Sequence, residues 1–298
     1  MITAALLLAA AAPQSVVVVP PEHRLIEGVA SDGKTIFVSS VLDRQILACE
    51  SECSLFATLP VGLHPMGMAW DAARKRLWVA ADCPALPGIA KCDRGALVEL
   101  DSSGKLLRQF APAAGPFRPG DLSIGRGAVF VSDSLNGAVY RLRSQAAALD
   151  TMIAPGLGRS AQGTVLDPTG KKLIVADYAL GIASVGLSNR ARTLLPRQDG
   201  KPLRGIDGLV RCGTTYIGVY NAITPAPLIT FRMRPGGIEY GELIEKLQLP
   251  DPTQIAFDGK RLLVVADAGW KGAGEPNSTR QTGATILAIP LGADCKPL

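Results

Sequence analysis

The chain repeats one alternation of polar turns and short apolar runs. Each copy has a polar or glycine-containing turn, an apolar segment, a turn carrying Asp or Gly, and a hydrophobic run that ends in a small residue or Asp. Turns such as DG, DPTG and FDG between runs rich in Val, Ile and Leu are typical of β-hairpins. The copies are EGVASDGKTIFVSS from Glu27, MGMAWDAARKRLWVAAD from Met66, GDLSIGRGAVFVSD from Gly120, QGTVLDPTGKKLIVAD from Gln162, DGLVRCGTTYIGVY from Asp207 and TQIAFDGKRLLVVAD from Thr253.

A third apolar strand is predicted after each hairpin, at 44–48, 96–100, 137–142, 181–187, 228–233 and 285–291. A fourth, less regular segment usually follows, as at 106–110 and 192–195. The copies are spaced by about 40 to 55 residues, the range of propeller blades. The pattern therefore predicts an all-β fold, a six-bladed β-propeller with four-stranded antiparallel blades. Because blades close on one another, residues 16–298 are predicted to form a single domain.

The first residues indicate an exported protein. Residues 3–12 (TAALLLAAAA) are an apolar run followed by Pro13, which resembles the hydrophobic region of a signal peptide with small residues near a cleavage point. The run is too short to span a bilayer. No charge precedes Glu22, so the usual basic start is missing and an uncleaved anchor is the alternative. We expect residues 1–15 to be a signal peptide, and the mature protein to be periplasmic or secreted, with no stable membrane span.

The six cysteines fit an oxidising compartment. Two pairs are close in sequence and are expected to form local disulfides, which leaves two cysteines whose partners the spacing does not fix. A zinc site is the alternative, but the chain has no CxxC pair, and its two histidines are not spaced with the cysteines as ligands. The local pairs are Cys49 with Cys53 and Cys83 with Cys92, and the remaining cysteines are Cys212 and Cys295.

Composition narrows the class of partner. The 32 glycines and 22 prolines suit a fold with many turns. The net charge of +5 is spread along the chain without a run of like charges, and only 5% of residues are aromatic. Nucleic-acid binding is therefore not expected. A small-molecule substrate or ligand is the predicted partner, and the sequence gives no oligomeric state.

The innermost strand of every blade begins at the same end of the central channel, so the first residues of the copies are predicted to converge there. They offer carboxylate and amide oxygens, which are ligands for a hard cation such as Ca²⁺. They would equally form a hydrogen-bonded polar plug, and the pattern alone does not decide between the two. The predicted mouth residues are Glu27, Met66, Gly120 with Asp121, Gln162, Asp207 and Gln254.

Four phrases carry a resemblance to a known family. IEGVASDGKTIFVSS, PGDLSIGRGAVFVSD, SAQGTVLDPTGKKLIVADY and GIDGL resemble the EGP/EGV, PNDL, PNGL and PDGL phrases of the regucalcin and gluconolactonase family of six-bladed propellers, over residues 24–291. The resemblance implies a divalent metal at the channel mouth, held by the Glu of the first phrase, the Asn of PND, the Asn of PNG and the Asp of PDG. It also implicates the last Asp in lactone hydrolysis.

Glu27 and Asp207 match the family's acidic ligands, but the two Asn ligands are replaced. PND reads Pro119-Gly120-Asp121, and PNG reads Ala161-Gln162-Gly163. Asn to Gly removes an oxygen ligand, whereas Asn to Gln keeps the amide and displaces its oxygen by about one methylene. Two outcomes follow. In the first, Glu27, Gln162 and Asp207 hold Ca²⁺, or alternatively Zn²⁺ or Mn²⁺, and Asp121 replaces the lost ligand. In the second, the metal is lost.

The resemblance makes Asp207 the candidate general base for water. His64, at the start of the second copy, is a second candidate base, with a structural role in a turn as the alternative. Trp270, before a long polar loop, is placed to reach over the channel mouth. The function predicted from these residues is an exported, metal-assisted hydrolase of a lactone or related ester. A non-catalytic propeller that binds a small ligand or a protein, and a metal-independent lyase or isomerase, remain as alternatives.

Overall fold

The computed structural model describes residues 12–87, 89, 92, 94–273 and 283–298. It confirms the predicted all-β, six-bladed propeller, since the strands form six sheets of four antiparallel strands each. Blades one to three contain β2 Ile26–Ser31, β3 Ile36–Ser40, β4 Gln45–Cys49 and β5 Cys53–Thr58; β6 His64–Asp71, β7 Arg76–Asp82, β8 Ala96–Asp101 and β9 Leu106–Phe110; β10 Pro119–Gly125, β11 Ala128–Asp133, β12 Val139–Arg143 and β13 Asp150–Ile153.

Blades four to six complete the ring. They contain β14 Ala161–Leu166, β15 Lys172–Asp177, β16 Gly181–Gly186 and β17 Arg192–Leu194; β18 Ile206–Cys212, β19 Thr215–Tyr220, β20 Leu228–Arg234 and β21 Gly237–Glu242; β22 Ile255–Phe257, β23 Arg261–Val265 and β24 Thr285–Pro290, with β1 Gln14–Val18 as the fourth strand. Among the described residues the one helix is α1, Trp270–Ala273.

The first strand of each blade lies innermost, because these strands contact one another in cyclic order around the channel. The alternation of the sequence explains the packing. Apolar side chains of neighbouring blades meet in clusters between the sheets, such as the cluster that joins Phe37 and Ile46 of blade one to Leu77 and Val79 of blade two. The blades therefore bury their faces against each other, and the six mouth positions are held by a rigid ring.

The ring is closed by the start of the chain. Strand β1 pairs antiparallel with β24, so blade six combines three strands from the C-terminal part with one from the N-terminal part. Val17 and Val19 are buried in the cluster that also contains Ile286. The strand includes Gln14 and Ser15, which the sequence analysis placed in the export segment, whereas residues 1–11 of that segment lie outside the described residues.

Three disulfides join all six cysteines, and both predicted local pairs are confirmed. The third bond links Cys212, at the end of β18, to Cys295 in the C-terminal tail. Such bonds persist in oxidising compartments, so the disulfides indicate a protein that works outside the cytoplasm. In the described part of the chain, no helix has the length and apolar character needed to cross a bilayer.

Candidate functional site

The strand register identifies which residue each blade places at the mouth. In blades one to five a bulge near the start of the first strand precedes a regular pair, such as Val29 with Val38 and Leu209 with Gly218. The residue two positions before the first regular pair occupies the same place in every blade. In blade six it belongs to Thr253, not to the predicted Gln254, because the regular pairing starts at Ile255. The six equivalent residues are Glu27, Met66, Gly120, Gln162, Asp207 and Thr253, and all line one cavity of about 490 Å³.

The next position along each first strand is where neighbouring blades come closest. Four blades have glycine there, and a Cβ on Gly28 would lie 2.1 Å from the Met66 carbonyl oxygen. Blades three and six, which stand opposite each other, have Asp121 and Gln254 instead, and the nearby Gln254 side chain lowers the pKa of the Asp121 carboxyl. The two side chains therefore approach each other one layer below the mouth. The four glycines are Gly28, Gly67, Gly163 and Gly208.

Asp121 thus lies in a different layer from the residues with which it was predicted to bind a metal. It lines a second cavity of about 240 Å³ below the mouth and does not line the upper one. Its Oδ1 accepts a hydrogen bond from the Leu122 amide at 2.7 Å. Burial raises the pKa of the Asp121 carboxyl to about 7, against this hydrogen bond. Its charge still reaches the mouth, because it contributes to raising the pKa of both Glu27 and Asp207.

Glu27 is the buried acid of the mouth, with 6% of its surface exposed. Its Oε2 accepts a hydrogen bond from the Trp270 indole nitrogen at 2.5 Å, which confirms that Trp270 reaches the channel mouth. Burial and then the neighbouring charge of Asp207 raise the pKa of Glu27 well above its ordinary value, although the Trp270 hydrogen bond works in the opposite direction. The two matching acids of blades one and five are therefore close enough to repel each other.

Asp207 is held by a residue that the sequence analysis missed. The Asn221 amide nitrogen donates to Asp207 Oδ2 at 2.8 Å and to the Pro252 carbonyl at 3.1 Å. The amide oxygen of Asn221 is buried and has no hydrogen-bond partner among the residues that the structure describes. Burial raises the pKa of Asp207 to about 7, with a further contribution from the charge of Asp121. A signal existed: Asn221 follows β19, where other copies of the repeat carry the Asp of their VAD phrase.

The two departures from the family pattern are neighbours in space. Gln162 donates its amide nitrogen to the Ser160 hydroxyl at 3.1 Å. Its amide oxygen lies 3.1 Å from the point that a Cβ on Gly120 would occupy. A side chain at 120 would therefore crowd Gln162. The longer amide of blade four occupies the space that the missing side chain of blade three leaves free, so the Gly and the Gln are complementary.

The oxygen atoms at the mouth fit a hard divalent cation. Glu27 and Asp207 each have one carboxylate oxygen that takes a hydrogen bond and one that remains, while Asn221 presents an orphaned amide oxygen beside Asp207. A bound cation would relieve the mutual electrostatic repulsion of the two acids. Within the described residues, however, no three acidic, histidine or cysteine side chains are grouped for a metal. Any site here would depend on amide oxygens for half of its protein ligands.

His64 is placed away from this chemistry. It is 5% exposed, and its Nδ1 lies 2.7 Å from the Val41 carbonyl oxygen, which can only accept, so Nδ1 carries the proton. It does not line the upper cavity, whereas Met66, two residues later, does. Its contact with the chain turn before blade two is the structural role that the sequence analysis kept as the alternative.

Three further polar residues line the cavity and escaped the sequence analysis. Arg118 donates to both carboxylate oxygens of Asp82, at 2.5 and 3.1 Å, so their charges are paired. Tyr178 faces the same space, and burial together with the charge of Asp207 raises its pKa. By contrast, Asp133 and Asp177 accept backbone amide hydrogens in turns.

No protein-family model and no curated protein matches this sequence. Among solved structures, a calcium-binding regucalcin from Agrobacterium tumefaciens is similar, with a TM-score of 0.66, 17% identity, and coverage of 97% of each chain. A gluconolactonase from Xanthomonas campestris has a TM-score of 0.60 and 15% identity, with 96% of this chain and 99% of that chain covered.

A protein of different chemistry is also similar. An aldose sugar dehydrogenase from Streptomyces coelicolor, in its PQQ-bound form, has a TM-score of 0.59 and 11% identity, with 94% of this chain and 99% of that chain covered. The comparisons confirm the resemblance to regucalcin and gluconolactonase at the level of the fold, and as a distant one. At these identities the fold is what is shared, and the argument for function depends on the site.

Proposed function

We propose that this protein is a hydrolase of lactones or related esters that works at the channel mouth. The observation that carries the proposal is the convergence of Glu27 and Asp207, with Asn221 fixing Asp207, at the floor of a single large cavity. These are the two acids that match the regucalcin and gluconolactonase phrases. The three disulfides support placing this activity in the periplasm or outside the cell.

The residues divide the reaction between them. Asn221 holds one oxygen of Asp207, which leaves the other to take the proton of a water molecule. The oxygen of that water attacks the carbonyl carbon, the ring C–O bond breaks, and the leaving oxygen takes the proton back, so the product is a hydroxy acid. A carboxyl group whose pKa is about 7 is suited to accept a proton near neutral pH.

A divalent cation fits the same site. Glu27, Asp207 and the amide oxygens of Gln162 and Asn221 would hold it, with Ca²⁺ favoured by the all-oxygen set. When bound, it would polarise the substrate carbonyl as a Lewis acid. A second function, binding of a small ligand without turnover, is favoured by one observation, that Gly120 offers no ligand where the family has Asn.

The first test separates these functions. We expect Ca²⁺ to raise the melting temperature of EDTA-treated protein, because binding to the native state stabilises it by about 2.7 kcal/mol at a hundredfold excess over Kd. Zn²⁺ and Mn²⁺ are compared alongside. A pH-indicator assay with a panel of lactones and aryl esters then measures turnover. Asp207→Asn should lower kcat/KM by at least about a hundredfold, the typical effect of a general base.

The surface variant Asp199→Asn is the matched control, since Asp199 does not line the cavity and is 43% exposed. It should leave both readouts unchanged. A metal shift that Glu27→Gln abolishes, without turnover of any ester or lactone, would favour the ligand-binding function. Absence of both a shift and turnover would overturn the metal-assisted hydrolase.

A further inference from the structure

The walls above the polar floor differ in chemistry from the floor itself. One wall is formed by the segment that follows β7 in blade two, and the other by segments of blades five and six. Blades two and five stand opposite each other in a ring of six, so the walls face each other across the cavity. The wall residues are Pro84, Ala85, Leu86, Ile223, Ala226 and Pro252.

Most polar groups in the upper cavity are already paired within the protein. Arg118 and Asp82 neutralise each other. The Asp251 carboxylate accepts from the backbone amides of Gly269 and Trp270, at 2.9 and 2.6 Å. The Thr253 hydroxyl donates to the Glu27 carbonyl at 2.9 Å. Among the described residues this leaves Tyr178 and Thr224, besides the floor groups assigned to the reacting end, to bind the ring hydroxyls of a sugar.

Two smaller hydroxyls are engaged in the same way. The Ser134 hydroxyl donates to the Arg118 carbonyl, and the Ser160 hydroxyl accepts from Gln162, both at 3.1 Å. A polyhydroxylated substrate would lose its hydrogen bonds to water on entering this space and replace only part of them with the described side chains, which is unfavourable for binding. An alkyl or aryl group would instead lose contact with water and gain contact with the walls.

We infer that the ligand of this cavity is a lactone or ester that carries an apolar substituent, and not a sugar lactone. The inference rests on the proposed function for the reacting end of the molecule, which the acids of the floor would bind. The substituent lies between the walls of blades two and five, against Leu86 and Ile223. Because each buried methylene improves binding of an apolar group by about fourfold, the site selects for chain length.

The test uses γ-lactones that differ only in the length of their alkyl side chain, from γ-valerolactone to γ-decalactone, with glucono-δ-lactone as the sugar lactone. We expect kcat/KM to rise by about fourfold per methylene over the first members, and to exceed the value for glucono-δ-lactone. A flat series, or a preference for glucono-δ-lactone, would overturn the inference and leave the hydrolase proposal in place.

Two variants test whether the assigned wall causes the dependence of kcat/KM on chain length. Ile223 is 51% exposed and lines the cavity, whereas Leu135 is 55% exposed and occupies the corresponding loop of blade three without lining it. Ile223→Ser should reduce the dependence on chain length, while Leu135→Ser should not. Both side chains are largely in solvent, so neither change should unfold the protein. Equal slopes in the two variants would contradict the assigned wall.

A binding measurement keeps the inference testable if no lactone is hydrolysed. γ-Lactams with the same side chains resist hydrolysis, and their effect on the melting temperature is measured over the same range of lengths. Stabilisation that increases with chain length, without turnover of the lactones, would support the apolar ligand and refute the hydrolase. Stabilisation that is independent of chain length would refute the apolar ligand, whatever the outcome of the activity assay.

Discussion

At the scale of single residues, the mouth brings two acids together, and in the described part of the chain the one basic side chain that lines their cavity, Arg118, is paired with Asp82. Glu27 and Asp207 repel each other, and the charge of Asp121 below adds to that repulsion. Each of the three carboxyl groups has a raised pKa, so each binds its proton more tightly in the folded than in the unfolded protein. The contribution of Asp121 and Asp207 to stability is complete below the ordinary carboxyl pKa and is lost as the pH rises through about 7.

Asp121→Asn tests this electrostatic cost. Asparagine keeps an oxygen for the Leu122 amide but removes the charge, so in EDTA it should stabilise the protein at pH 8 by on the order of 2–4 kcal/mol and have little effect at pH 4. Urea unfolding at the two pH values measures the difference. The surface variant Asp199→Asn serves as control, and a gain that is equal at both pH values would show that charge is not the cause.

At the scale of elements, the hairpins could be predicted because their signals are local. A turn such as the DG at Asp32 lies directly beside, in sequence, the two strands that it joins. Alternating apolar residues define the two faces of each strand. The contact between Trp270 and Glu27 spans 243 residues and depends on closure of the ring. This hydrogen bond therefore could not be predicted from the sequence, and neither could the strand register that places Thr253 at the mouth.

The pairing of Asn221 with Asp207 was hidden for another reason. By strand register Asn221 is equivalent to Asp82 of blade two, which pairs with Arg118, and nothing in the sequence distinguishes the one copy whose side chain holds a mouth acid. Similarly, Gly120 and Gln162 appear as two separate losses in the sequence, and only their proximity reveals that one fills the space left by the other. The sequence thus predicts which positions converge, but not which partners each side chain takes.

The disulfides should stabilise their elements to different degrees. The bond between Cys212 and Cys295 closes a separation of 83 residues, whereas that between Cys49 and Cys53 closes a separation of 4. Chain entropy predicts losses of about 4–5 and about 2 kcal/mol when each is removed. Urea unfolding of Cys212→Ser/Cys295→Ser and Cys49→Ser/Cys53→Ser compares them. The reverse order would show that local packing, not loop closure, dominates.

At the scale of the whole molecule, stability depends on a junction between the two ends of the chain. Strand β1 covers β24, and without it the largely buried β24 would replace β1 as the unpaired outer edge of blade six, which promotes association between molecules. The apolar contacts of Val17 in the cluster with Ile286 would be lost at the same time. The pairing of one five-residue strand therefore adds to the closure that the inner strands of blades one and six already make.

Deletion of residues 12–18 should lower the melting temperature and cause self-association, measured by light scattering. A synthetic peptide of residues 12–20 should restore both, because it supplies the missing strand. The same peptide with Val17→Asp should not, since Val17 is only 7% exposed in the native protein. A truncated protein that remains monomeric with an unchanged melting temperature would show that β1 is not needed for closure.

The position of Asp121 and Gln254 has a consequence for how a ligand would enter and leave the molecule. In the part of the chain that the structure describes, Asp121 lines a cavity below the mouth and not the mouth cavity itself, so we expect a ligand of the upper cavity to enter and leave by the same opening. For the proposed hydrolase, the product would have to leave through that opening before the next substrate binds, so we expect product release at the rim to limit turnover.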